Sequence, residues 1–414
     1  MSTSSTASTA TLSYSSPSAP SSSSPSPSSS PRSLKPTESK STKALLLSTP
    51  SGPYNLTTSW PRPIPSPNEI LIKNHVAALN PMDWKSVEYG FGIFGSPWIN
   101  GREGAGVIEE VGEEVKTTGP GEVWKRGDRV LVTSTRYRDI RTATFQEYIV
   151  AYPHNICRIP DWMSFTSAAT LGVGTVAAAA ALFDGLGLEI PKHPSPAFET
   201  ATEESENEGS SKRDQPRGLL IWGASSTTGQ QAIQLAKHAG LHVAAVASEE
   251  NKAYLLSLGV DVFFGRHQDH DAIVSEARNL GFDLAIDCVG AETAAYAAQA
   301  VGSEGRLVCL VKRPAATVVE PFRDGAARGD GRGEKPGVEV REVAIKPFHE
   351  DSEYGFALMA YLSHALHSGV IRPLRYEIVA GGLGGVEEGL RRLRDGEGGG
   401  RKLVVVLDET VTDL

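Results

Sequence analysis

The sequence is short of the residues on which several classes of protein depend. Its 414 residues include three cysteines, Cys157, Cys288 and Cys309, which lie far apart. So few cysteines exclude a disulfide scaffold and a zinc ribbon, and they suit a reducing compartment. The chain has a net charge of −9 and no dense basic patch, which argues against a protein that binds nucleic acid.

Apolar residues are almost missing from the N-terminus, where serine and proline supply 24 of the first 40 residues. Such a segment cannot offset the entropy lost on ordering, so we expect residues 1–41 to form a disordered tail. The tail has no apolar h-region, and its cations Arg32, Lys35 and Lys40 make a poor transit peptide. We therefore expect a cytoplasmic protein, with mitochondrial import as the alternative.

Long hydrophobic runs are also lacking, although one segment comes close. Residues 163–183 carry no charged side chain over 21 positions, a length that can cross a bilayer. Alanine, glycine, serine and threonine make up most of this segment, which leaves it too weakly apolar for insertion. We expect a buried helix at a domain junction, and no membrane partner.

Two strand patterns divide the rest of the chain. Runs such as KALLL, EILIKNHVAAL and GAGVIEEVG, separated by glycine and proline, predict an irregular β domain in the first half. From Gly218 on come the apolar runs LLIWG, LHVAAVAS, DVFFG, FDLAIDCVG and GRLVCLV, with helical stretches between the first four, which predicts an α/β fold with a doubly wound parallel sheet. Helices near residues 354–368 and 385–394 and a strand KLVVVL follow. Two polar inserts, residues 191–217 and 322–337, are expected to be mobile loops.

The stretch LLIWGASSTTGQQAIQLAKHAG combines a strand, a tight turn and a helix. Helix N-termini attract anions, so this order is typical of a phosphate site. The strict G-x-G-x-x-G fingerprint is not met, because Ala224 and Ser226 replace the first two glycines and only Gly229 remains. Taken alone, the hydroxyl-rich turn either binds phosphate or merely caps the helix.

Six segments, in this order, resemble the medium-chain dehydrogenase/reductase superfamily. They are ALNPMDWK, GREGAGVIEEVG, KRGDRV, LGVGTVAAAAALF, WGASSTTGQQAIQLAKHAG, and GGLGGVEEGLRRLRDG followed by RKLVVVL. The resemblance covers residues 43–414 apart from the two inserts, and it is strongest to zinc-free fungal members, including enoyl reductases of polyketide pathways. It implies a GroES-like β domain formed by residues 42–165 and 346–414, and a Rossmann-type domain formed by residues 166–345.

The resemblance also implies a nicotinamide cofactor and the residues that hold it. Ser248 ends the second Rossmann strand where NAD-selective sites place an acidic residue, and Lys252 can balance a 2′-phosphate, so we expect NADPH. The neighbouring Glu249 and Glu250 keep NADH as the alternative. The implied cofactor residues are Asn80, Pro81, Met82, Asp83, Ser225, Ser226, Thr227, Thr228, Ser248, Asn251, Lys252, Arg266, Cys288, Val289, Arg401 and Lys402.

The positions that hold zinc in metal-dependent relatives carry other residues in this chain. Pro81, Met82 and Asp83 occupy the first region, Arg102 the second, and Gly172 and Gly174 the third. A catalytic zinc needs three nitrogen, sulfur or oxygen ligands around an open position, so we expect no metal.

Reduction of an activated C=C bond needs no Lewis acid, unlike oxidation of an alcohol. The chain is therefore expected to be a zinc-independent, NADPH-dependent oxidoreductase that reduces an enoyl thioester or enone. Its expected substrate is a small hydrophobic molecule, with a synthase as candidate partner. An NADPH quinone reductase and a non-catalytic NADPH-binding sensor or scaffold remain open as alternatives.

No single residue stands out as the proton donor. The candidates are Lys85, Tyr89 and Thr175. The resemblance places the substrate against Leu171, Gly172, Val173, Gly174, Thr175, Leu310, Val311 and Lys312. Phe91, Phe94 and Trp98 either form an apolar wall for an acyl chain or belong to the core. Cys288 ends an apolar strand and is expected to be a packed residue rather than a nucleophile.

Overall fold

A computed structural model of the chain describes residues 41–115, 123–136, 138–191, 217–314, 322–324 and 337–408. The described residues form one compact unit. The predicted tail lies outside them except for Ser41, which already belongs to the first strand, and the predicted insert 191–217 lies outside them except for its two end residues. The predicted domain boundaries near residues 165 and 345 stay predictions.

Short strands dominate the first half, because glycine and proline interrupt its apolar runs. The strands are β1 Ser41–Leu47, β2 Tyr54–Pro61, β3 Ile70–Ala78, β4 Trp98–Ile99, β5 Glu103–Val111, β6 Arg129–Val132, β7 Tyr148–Ala151 and β8 Ile156–Arg158, and the helices are α1 Pro81–Tyr89, α2 Phe165–Ala168 and α3 Val173–Ala179. The sequence missed β2, which pairs antiparallel with β1 at a sheet edge and buries little, so its residues show no apolar period.

The second half alternates strands and helices between its first four strands, as predicted, and the helix before its fifth strand was not predicted. Its elements are β9 Gly218–Trp222, α4 Thr227–His238, β10 His242–Ala247, α5 Lys252–Ser257, β11 Val262–Gly265, α6 His270–Asn279, β12 Phe282–Asp287, α7 Ala291–Val301, β13 Arg306–Cys309, β14 Phe322–Asp324 and β15 Val338–Glu342. These strands form one parallel sheet in the order β11-β10-β9-β12-β13-β15-β14. The expected doubly wound fold class is confirmed.

One expectation about the second insert is wrong. We expected residues 322–337 to be a loop, but β14 pairs in parallel with β15 at the edge of the sheet. Without β14, strand β15 would present a row of unpaired N–H and C=O groups at the sheet edge. The three residues of β14 pair with part of that row. Residues 325–336 lie outside the described part of the chain.

The C-terminal segment returns to the sheet of the first half. It contains α8 Lys346–Glu350, α9 Ser352–His367, β16 Tyr376–Ile378, α10 Val386–Arg394 and β17 Lys402–Val406. Strand β17 lies between β16 and β3, in the sheet order β16-β17-β3-β5-β6-β8, and β7 pairs with β3. The last strand therefore brings its own first residue, Lys402, next to the end of β3.

The uncharged segment forms helix in the interior. One helical segment, Phe165–Gly185, is long and apolar enough to span a membrane, and 83% of its most apolar window is buried inside the protein. It contains α2 and α3 and ends in a π-helical turn, Ala180–Gly185. Leu171 and Leu182 share one core cluster with Ile233 of α4, so this segment packs against the Rossmann-type sheet layer, as the sequence predicted.

Candidate active site

The turn between β9 and α4 depends on two glycines. Gly223 has a φ of +79°, and a Cβ there would lie 2.6 Å from Cγ2 of Val289. A Cβ on Gly229 would lie 2.7 Å from Cα of Ala224. The first glycine provides the left-handed backbone of the turn, and the second lets the helix start close to the strand. These are the two glycines that frame the motif in the sequence.

A hydroxyl group of this turn does one of the two jobs that the sequence left open, which is to cap the helix. Ser226 is the N-cap of α4, and its Oγ accepts a hydrogen bond of 3.1 Å from the N–H of Gly229. Ser225, Ser226 and Thr227 also line a cleft of about 610 Å³ between this helix N-terminus and β17. A capped, twelve-residue helix whose first turn opens onto a cleft is suited to bind an anion.

Most of the predicted cofactor residues line this cleft. They are Pro81, Ser225, Ser226, Thr227, Ser248, Asn251, Arg266, Cys288, Val289, Arg401 and Lys402. Sequence reasoning missed Leu79, Trp222, Gly223, Val246, Ala247, His270, Thr293, Leu393, Gly396, Gly398, Gly399, Gly400 and Leu403, whereas Glu250 belonged to the NADH alternative. The first five of these lie at the end of a strand or directly follow it, and that position was the signal available for them. His270 carried no signal.

A clamp explains why the glycine loop before β17 borders the cleft. The side chain of Gln230 is buried, and its Nε2 donates to the carbonyl oxygens of Ser225, at 2.6 Å, and of Gly400, at 2.9 Å. The helix that carries the turn is thereby tied to the loop that precedes Lys402. The two walls of the cleft are held at a fixed spacing by this amide.

Two arginines give the cleft positive charge. Arg266 and Arg401 are exposed, and among the described residues neither forms an ion pair with a carboxylate. Glu250 also lines the cleft, whereas the carboxylate of Glu249 lies against Gly265. Guanidinium groups without carboxylate partners suit phosphate, which they bind through paired N–H donors.

Lys252, which we expected to balance a 2′-phosphate, does not line the cleft. Its Nζ lies 5.3 Å from the centroid of the Phe263 ring, as a cation–π pair. Thr228 also lies outside the cleft lining, because it occupies the second helical position of α4. The cation that does border Ser248 is Arg266.

The end of β12 is held by a buried carboxylate. Asp287 Oδ1 accepts hydrogen bonds from the N–H groups of Val289, at 3.0 Å, and Gly290, at 2.8 Å. Burial raises the pKa of the Asp287 carboxyl group. Burial also raises the pKa of the neighbouring Cys288 thiol to about 12, so the thiolate is scarce at neutral pH. Cys288 is a packed residue at the cleft wall, as expected.

A buried ion pair stands behind the cleft. Glu103 is fully buried, and its Oε1 pairs with Nζ of Lys402 and accepts a hydrogen bond of 2.7 Å from Nδ2 of Asn80. The Lys402 ammonium in turn donates to Oδ1 of Asn80 at 2.8 Å, and Glu103 Oε2 accepts from the N–H of Val173. Asn80 and Lys402, both expected to touch cofactor, thus point their polar groups at Glu103.

Gly172 and Gly174 are closely packed against their neighbours. A Cβ on Gly172 would lie 2.2 Å from Oε2 of Glu103, and a Cβ on Gly174 would lie 2.7 Å from Cγ2 of Thr227. The first glycine lets the carboxylate of Glu103 reach the start of α3, and the second lets α3 touch the start of α4. A ligating side chain at either position does not fit this packing.

The stretch NPMDWK starts helix α1. Pro81 opens α1, and Oδ2 of Asp83 accepts a hydrogen bond of 2.9 Å from the N–H of Asn80. Asn-Pro-x-Asp carries the residues that favour a helix N-terminus, namely a capping residue, a proline at the first position and an acid two residues later. That signal was present in the sequence.

Asp83 and Arg102 meet in the interior. Oδ1 of Asp83 lies 3.7 Å from Nε of Arg102, which is too long for a hydrogen bond, and the carboxyl group is fully buried. Burial disfavours its charge more than the guanidinium favours it, so the pKa of Asp83 is raised to about 6. Among the described residues, no group of three or more His, Cys, Asp or Glu side chains lies together to hold a metal.

A second cavity, of about 670 Å³, opens beside Arg102 and was not predicted as a site. It is lined by Met82, Phe91, Gly92, Phe94, Arg102, Arg136, Arg138, Lys346, His349 and Glu350. Pro81 lines the first cleft and Met82 the second cavity, so the first turn of α1 separates the two. Phe91 and Phe94 belong to a wall as proposed, whereas Trp98 is buried beside Phe94.

The predicted substrate residues line neither cavity. Leu171, Gly172 and Gly174 are buried, Val173 and Leu310 half-buried, and Val311 and Lys312 exposed. Thr175 is buried, and its Oγ1 has no hydrogen-bond partner among the described residues.

The other two proton-donor candidates also lie outside both cavities. Lys85 holds its Nζ 5.5 Å from the Trp84 ring, and Tyr89 is 62% exposed at the end of α1. Of the three candidates, only Thr175 presents a buried hydroxyl without a partner.

Comparison with known proteins gives two family matches. Residues 66–161 match the alcohol dehydrogenase GroES-like domain, and residues 227–323 match the domain described as zinc-binding dehydrogenase. The first match covers β3 to β8 and the second covers α4 to β14.

Whole-length relatives agree with these matches. A trans-enoyl reductase of Fusarium mangiferae is 30% identical over 87% of this chain and 98% of its own length. A trans-enoyl reductase of Aspergillus sclerotiorum is 32% identical over 87% of this chain and 98% of its own length. The crystal structure of the CurK enoyl reductase shares the fold, with a TM-score of 0.66, 19% identity, and coverage of 88% of this chain and 99% of that one.

We predict that Asp83→Asn relieves a pH-dependent loss of stability. The pKa of Asp83 is about 6 in the folded chain against 3.8 for an unperturbed group, so folding binds the proton more tightly. The contribution of this carboxyl group to the free energy of unfolding is therefore fully present below its unfolded pKa of 3.8 and is lost as the pH rises through about 6. Between about pH 4.5 and about pH 7.5, the wild type should lose about 2 kcal/mol relative to the variant.

Urea unfolding across this pH range checks the prediction. Asp283→Asn, which removes a carboxylate from a surface ion pair with Arg217, controls for the general effect of one lost acid. If the difference in the free energy of unfolding between wild type and Asp83→Asn does not change with pH, the pKa of Asp83 is not raised by folding.

Proposed function

The chain belongs to the medium-chain dehydrogenase/reductase superfamily, and on that premise we propose that it is an NADPH-dependent, metal-free enoyl reductase. Its reaction is the reduction of a C=C bond conjugated to a carbonyl group, as in an enoyl thioester or enone. Membership of this superfamily makes it an oxidoreductase that uses a nicotinamide cofactor. The choice of NADPH, the absence of a metal and the roles of single residues are the proposal.

The observation that carries the proposal is the cleft at the N-terminus of α4. The capped helix, the hydroxyl-rich turn and Arg401, which pairs with no carboxylate among the described residues, fit the pyrophosphate of a dinucleotide. Arg266 beside Ser248 favours the 2′-phosphate of NADPH, because a serine does not repel it and a guanidinium binds it. Glu250 opposes this choice, and the single carboxylate is outweighed by Arg266 and Arg401.

When bound, a reduced nicotinamide supplies the hydride for the β-carbon of the double bond. The chain's own residues bind and orient the cofactor and the substrate, and they exclude water from the site. The charge that develops on the substrate carbonyl oxygen needs hydrogen-bond donors, and Arg102 at the wall of the neighbouring cavity provides them. The proton for the α-carbon comes from water, because Thr175, the one candidate with a buried hydroxyl, lines neither cavity.

A metal-free site is favoured by the charge at the ligand positions. Arg102 places a permanent cation next to Asp83, and Gly172 and Gly174 are packed too tightly for ligating side chains. A divalent cation beside a guanidinium group is electrostatically unfavourable. The developing enolate is then stabilised by hydrogen bonds rather than by a Lewis acid.

The proposal includes the substrate source and the compartment. The two relatives compared above are named trans-enoyl reductases, so we propose that a separate synthase delivers the substrate of this chain. All three cysteines are free, as expected of a protein that works in the reducing cytoplasm.

Turnover tests the proposal directly. Purified protein is mixed with NADPH and an enoyl thioester or enone, and the loss of nicotinamide absorbance is followed with and without a chelator. We expect reduction that the chelator does not change. Reduction of quinones alone would point to a quinone reductase, tight NADPH binding without any turnover would point to a sensor or scaffold, and loss of activity with chelator would overturn the metal-free mechanism.

We predict that Arg266→Gln weakens NADPH binding about tenfold, because one guanidinium–phosphate contact is lost. NADH, which has no 2′-phosphate, should bind with less than about a twofold change. Lys252→Gln is the matched control, since its ammonium lies over Phe263 instead of the cleft. Fluorescence titration with both nucleotides measures the effect, and equal losses for NADPH and NADH would refute the assignment of Arg266 to the 2′-phosphate.

A further inference from the structure

Arg375 lies behind the cofactor cleft and does not line it. It stands directly before β16, and its carbonyl oxygen accepts a hydrogen bond of 2.9 Å from the N–H of Lys402, the first residue of β17. Its half-buried guanidinium group forms no ion pair with a carboxylate among the described residues, and its Nε is buried without a hydrogen-bond partner there. The positive charge of Arg375 therefore faces neutral groups.

Those neutral groups belong to Tyr254 and Asn251. The guanidinium carbon of Arg375 lies 3.9 Å from the centroid of the Tyr254 ring, and the Tyr254 hydroxyl accepts a hydrogen bond of 3.3 Å from the backbone N–H of Arg375. The terminal nitrogen Nη2 of Arg375 donates to Oδ1 of Asn251 at 2.5 Å. Stacking on the ring fixes the plane of the guanidinium group, and the direction of this hydrogen bond is fixed with it.

The hydrogen bond from Arg375 gives the amide of Asn251 one orientation. A guanidinium group only donates hydrogen bonds, so the amide atom next to Arg375 is the oxygen, and the NH2 group points elsewhere. Asn251 is 3% exposed and lines the cleft, and its Nδ2 donates to no residue in the described part of the chain. The NH2 group is therefore available to a ligand in the cleft.

Gly400 leaves room for this amide on the facing wall. Its φ is +75°, and a Cβ there would lie 2.8 Å from Oδ1 of Asn251 and 3.4 Å from Nδ2. The amide thus lies between Arg375 and the glycine loop, whose position Gln230 fixes through the carbonyl oxygen of Gly400. A side chain at residue 400 would displace the amide, so the glycine preserves its orientation.

Asn251 lies one turn from Ser248, at the end of the cleft where we place the 2′-phosphate. The N–H of Asn251 donates to the carbonyl oxygen of Ser248 at 3.0 Å, which closes the turn after β10. Both residues line the cleft together with Arg266. An NH2 group at this place can donate to a phosphate oxygen, whereas an amide oxygen would oppose it with a second acceptor.

We propose that Arg375 is a positioning residue that selects NADPH over NADH through Asn251. By holding Oδ1, it keeps the NH2 group of Asn251 directed at the 2′-phosphate oxygens. Without Arg375 the amide is free to turn its oxygen toward them, and the preference for the phosphate falls. Because the ligand is the cofactor of the proposed function, this role rests on that function.

Two nucleotide fragments test this role without any turnover. 2′,5′-ADP and 5′-AMP, which differ by the 2′-phosphate, are titrated calorimetrically into the full chain, and the ratio of their dissociation constants is taken for each variant. We expect Arg375→Met to reduce the preference for 2′,5′-ADP about tenfold. Arg372→Met is the matched control, because Arg372 binds the carbonyl oxygen of Ser257 on the same helix α5, at 2.7 Å, and lies outside the cleft lining. An unchanged ratio in Arg375→Met, or an equal loss in Arg372→Met, would overturn the proposal.

A double-mutant cycle shows whether Arg375 acts through Asn251. We expect Asn251→Ala to reduce the preference for 2′,5′-ADP about as much as Arg375→Met does. The double variant should lose little more than either single variant, because Arg375 then has no amide left to position. Additive losses would mean that the charge of Arg375 acts on the phosphate directly, and the positioning role would be refuted.

Asn251→Asp tests the same geometry even if Arg375→Met does not fold. Arg375 then pairs with one carboxylate oxygen and leaves the other facing the cleft, where it repels a phosphate and accepts a hydrogen bond from a ribose hydroxyl. We expect the preference to reverse, so that 5′-AMP binds more tightly than 2′,5′-ADP and NADH more tightly than NADPH. A retained preference for 2′,5′-ADP would show that the Asn251 amide does not face the phosphate.

Failure of this role and failure of the proposed function give different results. If the wild-type chain binds 2′,5′-ADP no more tightly than 5′-AMP, the choice of NADPH fails and the role of Arg375 fails with it. If the wild type prefers 2′,5′-ADP and Arg375→Met keeps that preference, only the role of Arg375 is contradicted. A chain that reduces no acceptor fails the proposed function, while the titration still decides the role of Arg375.

Discussion

The carboxylate of Glu103 is the constraint on which the rest of the site depends. An ionised carboxyl group in the interior is costly unless it is paired and fully hydrogen-bonded. Glu103 meets this requirement only through Lys402 at the start of β17, Asn80 before α1 and the N–H of Val173 at the start of α3. Segments from the beginning, middle and end of the chain must therefore all be in place around one side chain.

The shape of both cavities follows from that arrangement. Lys402 fixes the glycine loop before β17, which forms one wall of the cofactor cleft, and Val173 fixes the junction helix against α4. Asn80 sets the start of α1, whose first turn separates the cleft from the second cavity. A buried ion pair thus occupies the interior behind the cleft, and Gly172 leaves room for its carboxylate.

The fold and the cofactor cleft could be predicted from the sequence because their signals are local. The strand, turn and helix from Leu219 to Gly240 are contiguous, and Ser248 and Arg266 each end a strand of the parallel sheet. The charged lining of the second cavity could not be predicted, because Arg102, Arg138 and Lys346 come from segments that only the tertiary fold brings together. The pairing of Lys402 with Glu103 could not be predicted either, because Glu103 lies nearly three hundred residues earlier in the sequence.

A double-mutant cycle on Glu103 and Lys402 tests the central claim most directly. The free energy of unfolding and the dissociation constant for NADPH are measured for wild type, Glu103→Gln, Lys402→Met and the double variant. We expect each single variant to lose about 3 kcal/mol or more of its free energy of unfolding, and the double variant to lose clearly less than the sum of the two losses. NADPH binding should weaken in all three variants. Additive losses with unchanged NADPH binding would show that the pair neither couples the segments nor shapes the cleft.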